Sequence, residues 1–207
     1  RSPAEYRAAV QHESLINLAF AGRAATILCP YDATRLGPAV LADAGCTHPV
    51  ILERGTRLRS AAYLDPVGML ASFGGPPPEP PERTPAMLFG ATDLRSVRDF
   101  VRLNATVAGL PATRTIDLLF AVNEVATNTV THTATGTGTV RLWRPDGHVV
   151  CEIRDSGHID HLLAGRLPPH PDSQHGRGLL IVNHLCDLVE IWSDEDGTVV
   201  RMHMRGS

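Results

Sequence analysis

Residues 72 to 85 read SFGGPPPEPPERTP, and no helix interior or central strand can run through them. Each proline lacks an N–H donor and fixes φ, so a run this dense is held to an extended, semi-stiff path. The chain of 207 residues is thereby divided. The expected organisation is a short unit over 1–71, a linker over 72–85 and a longer unit over 86–207. About 70 residues make a thin core, so the first unit reads as the back portion of a larger domain. The chain begins at Arg1 rather than methionine, from which a fragment or a processed chain is expected.

Composition removes several function classes. All 19 basic residues are arginine. Without lysine there is no GxxxxGK[ST] phosphate loop, no Schiff-base lysine and no eukaryotic-type kinase lysine. The net charge of -3 and the lack of a polybasic run predict neither direct nucleic-acid binding nor membrane-surface binding. No apolar run has the length of a membrane span. Cys29, Cys46, Cys151 and Cys186 are far apart and form no CxxC pair. With no secretory segment they are expected to be reduced and buried in a cytoplasmic protein. No two of the ten histidines stand at a zinc-ligand spacing backed by cysteine or carboxylate.

Local patterning predicts the elements. In the first unit Ser2 can cap and Pro3 open a helix, ATILCPYD reads as a short buried strand, and GPAVLADAG as a brief helix stopped by Gly45. In the longer unit AMLFGA is a strand. Thr92 or Asp93 then caps a helix with Leu94, Val97, Phe100, Val101 and Val107 on one face. Gly109 stops it, and Pro111 helps to start a second helix carrying Ile116, Leu119 and Phe120. TGTVRLWR and HVVCEIRD pair around a PDG turn, and a polar loop follows over roughly 156–175. The helix GRGLLIVNHLCD and a last hairpin turning at Asp196-Gly197 complete the unit. This order predicts a two-layer α/β sandwich, a mixed sheet with helices on one face.

Chemistry-bearing residues fall where these elements end. NEVATNTVTH, residues 123–132, puts Glu124 and Asn128 one turn apart on one helical face. DSG, Asp155 to Gly157, closes a strand; HGRGL, His175 to Leu179, opens a helix; Gly197 and Thr198 open the last strand. In order and spacing these boxes resemble the ExxxN, DxG and GxG elements of the Bergerat (GHKL) ATP-binding fold. That fold is shared by sensor histidine kinases, gyrase-type ATPases and bacterial anti-sigma-factor serine kinases. The resemblance covers roughly residues 86 to 205, and NEVATN is most similar to the serine kinase branch.

The resemblance implies ATP and Mg²⁺ as cofactors. It assigns Asn128 to the metal, an amide oxygen for a hard ion, and Glu124 to proton removal from an attacking hydroxyl. It assigns Asp155 and Gly157 to the adenine, where a carboxylate accepts from the exocyclic amine, and Thr198 to closing that pocket. Gly176, Arg177 and Gly178 fall to the phosphates at a helix N-terminus. His132 is read as ending its helix, and neither it nor His175 is given a chemical role. Two departures concern the lid: Ile159 stands where the family usually has a second glycine, and HIDHLLAGRLPPHPDSQ is proline-rich. The implied activity is serine/threonine phosphorylation of an anti-sigma-factor antagonist of the STAS type, with control of a sigma factor and a homodimeric assembly. A non-catalytic nucleotide-dependent switch is the alternative, followed by the catalytic domain of a histidine kinase. Ahead of the linker, HESLINLAF, LCPYD and THP resemble the end of the DcmR-type (MEDS) sensory domain. Glu13, Tyr31, Asp32 and His48 there are read as structural hydrogen-bonding residues.

Overall fold

A computed structural model describes residues 3–73, 75–145, 147–168 and 176–206. Ser2, Asp146 of the expected PDG turn, and the back of the long loop with His175 lie outside the described residues. The chain divides into two units, Arg1–Gly75 and Pro76–Ser207.

The first unit holds helices α1 (Pro3–Ala19), α2 (Pro38–Thr47) and α3 (Pro66–Phe73), with a hairpin of β1 (Val50–Glu53) and β2 (Thr56–Arg59). Each helix opens on a proline, whose fixed φ suits the first turn. Val10 and Leu15 on α1 and Met69 on α3 are buried, and α1 packs on α3. Two expectations fail here. ATILCPYD is not a strand: no described strand pairs with it, and Leu28 is 69% exposed. A strand is stable only where a neighbour satisfies its N–H and C=O groups. Gly45 does not stop its helix either; it lies buried within α2, and the Ser60 hydroxyl donates to its carbonyl at 2.6 Å. Glu13 accepts from the Thr47 hydroxyl at 3.2 Å, Asp32 from the backbone and side chain of Thr34, and His48 lies 2.9 Å from the Ala44 carbonyl. Tyr31 meets the His48 ring edge-on, with centroids 5.6 Å apart.

The second unit is a two-layer α/β sandwich. Its elements are β3 (Ala86–Phe89), a 3-10 turn (Ala91–Asp93), α4 (Leu94–Val107), α5 (Ala112–His132), β4 (Gly138–Trp143), β5 (His148–Asp155), α6 (Gly178–Leu185), β6 (Leu188–Asp194) and β7 (Gly197–Arg205). The strands lie in the order β3-β4-β5-β7-β6. Every neighbouring pair is antiparallel, so the mixed sheet expected from the sequence is corrected. The chain crosses the helix layer twice between β3 and β4, which reverses β4. It crosses once between β5 and β6, but β7 inserts between those two and separates the parallel pair.

The helices bury one face of the sheet with Val97, Val101, Leu118, Val122, Val125, Val140, Ile153 and Met202 among the core residues. Gly109, at φ 76°, ends α4 in the left-handed conformation that glycine tolerates. Asp93 does not cap α4; its carboxylate turns back to accept from the Gly90 N–H at 2.9 Å. Val107 is 80% exposed, and Ile116 and Phe120 also face solvent. Six residues beyond Val101, the helix has turned roughly 240°, so Val107 cannot share its face. All four cysteines are free: Cys151 and Cys186 are buried and Cys29 and Cys46 half-buried. Burial pushes the Cys186 thiol up to about 12 and the Cys151 thiol higher still.

The other face of the sheet carries charge. Glu152, fully buried, accepts from Arg201 at 2.7 Å and from Arg141 at 3.2 Å. The Arg201 guanidinium lies 5.2 Å from the Trp143 ring centroid. The proline-rich segment fastens onto this face instead of spanning free space. Pro77 is buried, the Pro78 carbonyl accepts from Arg201, and Glu79 pairs with Arg154 at 3.0 Å.

Candidate functional site

Helix α5 explains its own polar pair. Thr115, Leu118, Ala121, Val122, Val125, Ala126 and Thr129 supply its buried face. Glu124 and Asn128 lie at the edge of that face, half-buried, which is not the exposure of a solvated stripe. A Cβ on Gly178 would come within 2.9 Å of Glu124 Oε2 and 3.6 Å of Asn128 Nδ2. The missing side chain of Gly178 is therefore what lets both polar groups reach the start of α6.

Between α5, the ends of β5 and β7, and the first half of the long loop lies a cavity of about 690 Å³. Asn128, Asp155, Gly157, Gly176, Gly178 and Thr198 line it. Glu124 and Arg177 are off its wall: Glu124 sits at the α6 entrance, and Arg177 flanks α6 at the N-cap position. His132 lines the cavity, but the helix end is tied by Thr133, whose hydroxyl donates to the Thr129 carbonyl at 2.8 Å. Helix-ending therefore falls to Thr133 rather than to His132.

The DSG turn is held from several sides. Asp155 pairs in register with Gly138 on β4 and with Thr198 on β7. Its Oδ1 accepts the Gly157 N–H at 2.8 Å, and its Oδ2 accepts the Thr129 hydroxyl at 2.5 Å. Thr198 donates to the Gly157 carbonyl at 2.8 Å and lies 2.8 Å from the Ser193 hydroxyl, which accepts the Ile159 N–H at 2.9 Å. Gly157 is needed for space rather than for its φ, since a Cβ there would meet Thr133 Cγ2 at 2.9 Å. Gly197 is more demanding: at φ 143°, a Cβ would fall 2.3 Å from the Asp155 carbonyl oxygen. Backbone cannot yield as a side chain can, so Gly197→Ala is expected to cost about 2–3 kcal/mol of stability. It should also weaken nucleotide binding through the displaced Asp155. Urea denaturation and a nucleotide titration of the variant check both effects.

The front of the lid is fixed. Leu163 is buried, and Asn183 on α6 donates to the Gly165 carbonyl at 3.1 Å. Gly165, at φ 71°, has no room for a side chain against Leu179. Ile159 lines the cavity where a second glycine was the usual residue. Sequence reasoning missed Thr129, Ser193 and Asn183. For Thr129 the available signal was a hydroxyl on the apolar face of a helix.

Residues 90–204 match the histidine kinase-like ATPase domain. The chain belongs to this family. Residues 1–49 match the MEDS domain, the methanogen/methylotroph DcmR sensory domain. No curated protein matches the chain significantly. Among solved structures it is similar to the RsbU and RsbW domains of Rv1364c from Mycobacterium tuberculosis, at 20% identity and a TM-score of 0.44. That likeness covers 59% of this chain and 32% of the mycobacterial one, so the chain spans about a third of its length. It is also similar to the histidine kinase domain of the blue-light activated histidine kinase EL346 from Erythrobacter litoralis, at 15% identity and a TM-score of 0.36, covering 98% and 92%. Family membership makes the second unit an ATP-binding domain of the histidine kinase-like ATPase type.

The residues present fit that ligand. Asp155 offers acceptors at one end of the cavity, and Gly176 and Gly178 with the first amides of α6 lie at the other. Among the described residues no three His, Cys, Asp or Glu side chains gather to hold a metal. An Asn128 amide with phosphate and water oxygens is the donor set that Mg²⁺ accepts. No described helix is long and apolar enough to cross a membrane.

Proposed function

We propose that the chain is an ATP-dependent serine/threonine kinase that phosphorylates an anti-sigma-factor antagonist and so controls a sigma factor. The supporting observation is the placement of Glu124, half-buried one turn from Asn128 and against Gly178 at the phosphate end of the cavity. A module that only senses nucleotide has no use for a carboxylate there. In this reading Asn128 holds Mg²⁺, whose charge neutralises the phosphates. Asp155 orients the base, Gly157 and Thr198 shape its pocket, and Gly176, Arg177 and Gly178 face the phosphates. Glu124 accepts the proton of the incoming hydroxyl.

The switch reading rests on a different observation. The lid is already anchored to α6 through Gly165 and Asn183, so nucleotide could set the shape of a partner surface without any transfer. Calorimetric titration of the full chain with ATP, with and without Mg²⁺, tests what both readings share. Binding should depend on Mg²⁺, and Asn128→Ala should weaken it more than about tenfold, or 1.4 kcal/mol. An affinity indifferent to both would remove Asn128 from the metal role. Movement of γ-phosphate to a protein hydroxyl then separates kinase from switch.

A further inference from the structure

Thr129 uses its hydroxyl differently from Thr106 on α4, Thr115 on α5 and Thr133 just past the end of α5. Thr106, Thr115 and Thr133 each donate back to the carbonyl four residues earlier, at 2.8, 3.0 and 2.8 Å, the usual solution for a hydroxyl inside a helix. Thr129 instead donates across to the sheet, to Asp155 Oδ2 at 2.5 Å. That is the one hydrogen bond of its hydroxyl among the described residues. The length lies in the range of a hydroxyl on a charged oxygen. Its methyl fills the space over Gly138, where a Cβ would meet Thr129 Cγ2 at 2.8 Å. Gly138 is the residue paired with Asp155 across the β4–β5 ladder. A glycine on one strand thus makes room for a helix threonine to grip the carboxylate on the next.

We infer that Thr129 is a positioning residue that sets the choice of purine, a role resting on the ATP reading of this cavity. A carboxylate rotates broadly about its last torsion. Gly157 N–H holds one oxygen of Asp155 and Thr129 O–H the other, which fixes the plane of the group. Its remaining lone pairs then meet the cavity in one orientation, as acceptors only. A 6-amino purine presents a donor to that position. A 6-oxo purine presents an acceptor there and its nearest donor one ring atom away, at N1. With both oxygens pinned the carboxylate cannot swing to follow that donor. Without Thr129 it can, and discrimination falls.

The experiment titrates the full chain with ATP and with inosine triphosphate, which differ at the 6-position group and in the N1 proton. Wild type should prefer ATP by more than about 100-fold, as a site built around one hydrogen bond does. Thr129→Val keeps the methyl over Gly138 and removes only the hydroxyl; its preference should shrink at least about tenfold, mostly through lost ATP affinity. Thr129→Ser restores the hydroxyl and should return to within threefold of the wild-type ratio, on the order of the scatter between conservative swaps. Thr129→Ala serves if the valine variant does not fold. A purely structural role would weaken both nucleotides alike and leave the ratio standing. An unchanged ratio in a folded variant without the hydroxyl overturns the inference alone. Failure of the wild-type chain to bind ATP overturns the ATP reading and this inference with it.

Discussion

Glu124→Gln should cut phosphate transfer to a protein hydroxyl by about 10²–10⁴-fold, the usual contribution of a positioned base. The amide has the shape of the carboxylate and can keep its place against Gly178, so packing at the α6 entrance is preserved. What it loses is the capacity to take a proton. ATP affinity should move little, because Glu124 stands off the cavity wall. Any change should be upward, since a negative charge near the phosphate end has been removed. The check pairs a calorimetric ATP titration with transfer of labelled γ-phosphate to a cognate antagonist. Wild-type transfer by the variant would strike Glu124 from the base role. No transfer by either protein, with ATP still bound, would favour the switch.

The parts of this site that were legible in the sequence are those set by short-range rules. Four-residue spacing put Glu124 and Asn128 together, and DSG and GRG stand at element ends where glycine and aspartate have turn chemistry. What was not legible depends on residues far apart. Gly197 reads as an ordinary hairpin glycine, yet its indispensable property is the approach to the Asp155 carbonyl, set by the β5–β7 register. Thr129 reads as filler on an apolar face until β4 and β5 bring Gly138 and Asp155 beneath it. Periodicity also overreached. It placed Val107 on the face of Val97 and Val101 because it is apolar, although helix rotation carries it to solvent. In ATILCPYD it read strand from composition alone, with no pairing partner to support it.

The largest stability effect is expected on the face of the sheet away from the nucleotide. Arg141, Glu152 and Arg201 lie on that face of β4, β5 and β7, where Glu152 has no exposed side-chain surface and Arg201 only 7%. Arg201 and Glu152 have been taken from water together, with the partly exposed Arg141 beside them, and each of the buried pair depends on the other to offset that loss. Arg201 has further support from the Pro78 carbonyl and the Trp143 ring; Glu152 bonds it directly from β5, and Glu190 is its register partner on β6. Glu152→Ala should therefore destabilise the second unit by about 3–5 kcal/mol, the cost of stranding a buried charge. The Glu79 pairs, with the glutamate side chain 69% exposed, should contribute at most about 1 kcal/mol, so Glu79→Ala is the mild comparison. Both tryptophans, Trp143 and Trp192, lie in the second unit, so their fluorescence during urea unfolding of the full chain reports that unit alone. Combining Glu152→Met with Arg201→Met separates an orphaned charge from lost packing. If the penalty is electrostatic, removing both charges should recover most of the stability, because a buried pair is often no better than apolar residues of similar volume. A double variant as unstable as Glu152→Ala would mean that the network matters through its shape, holding the proline-rich segment on the sheet, rather than through its charges.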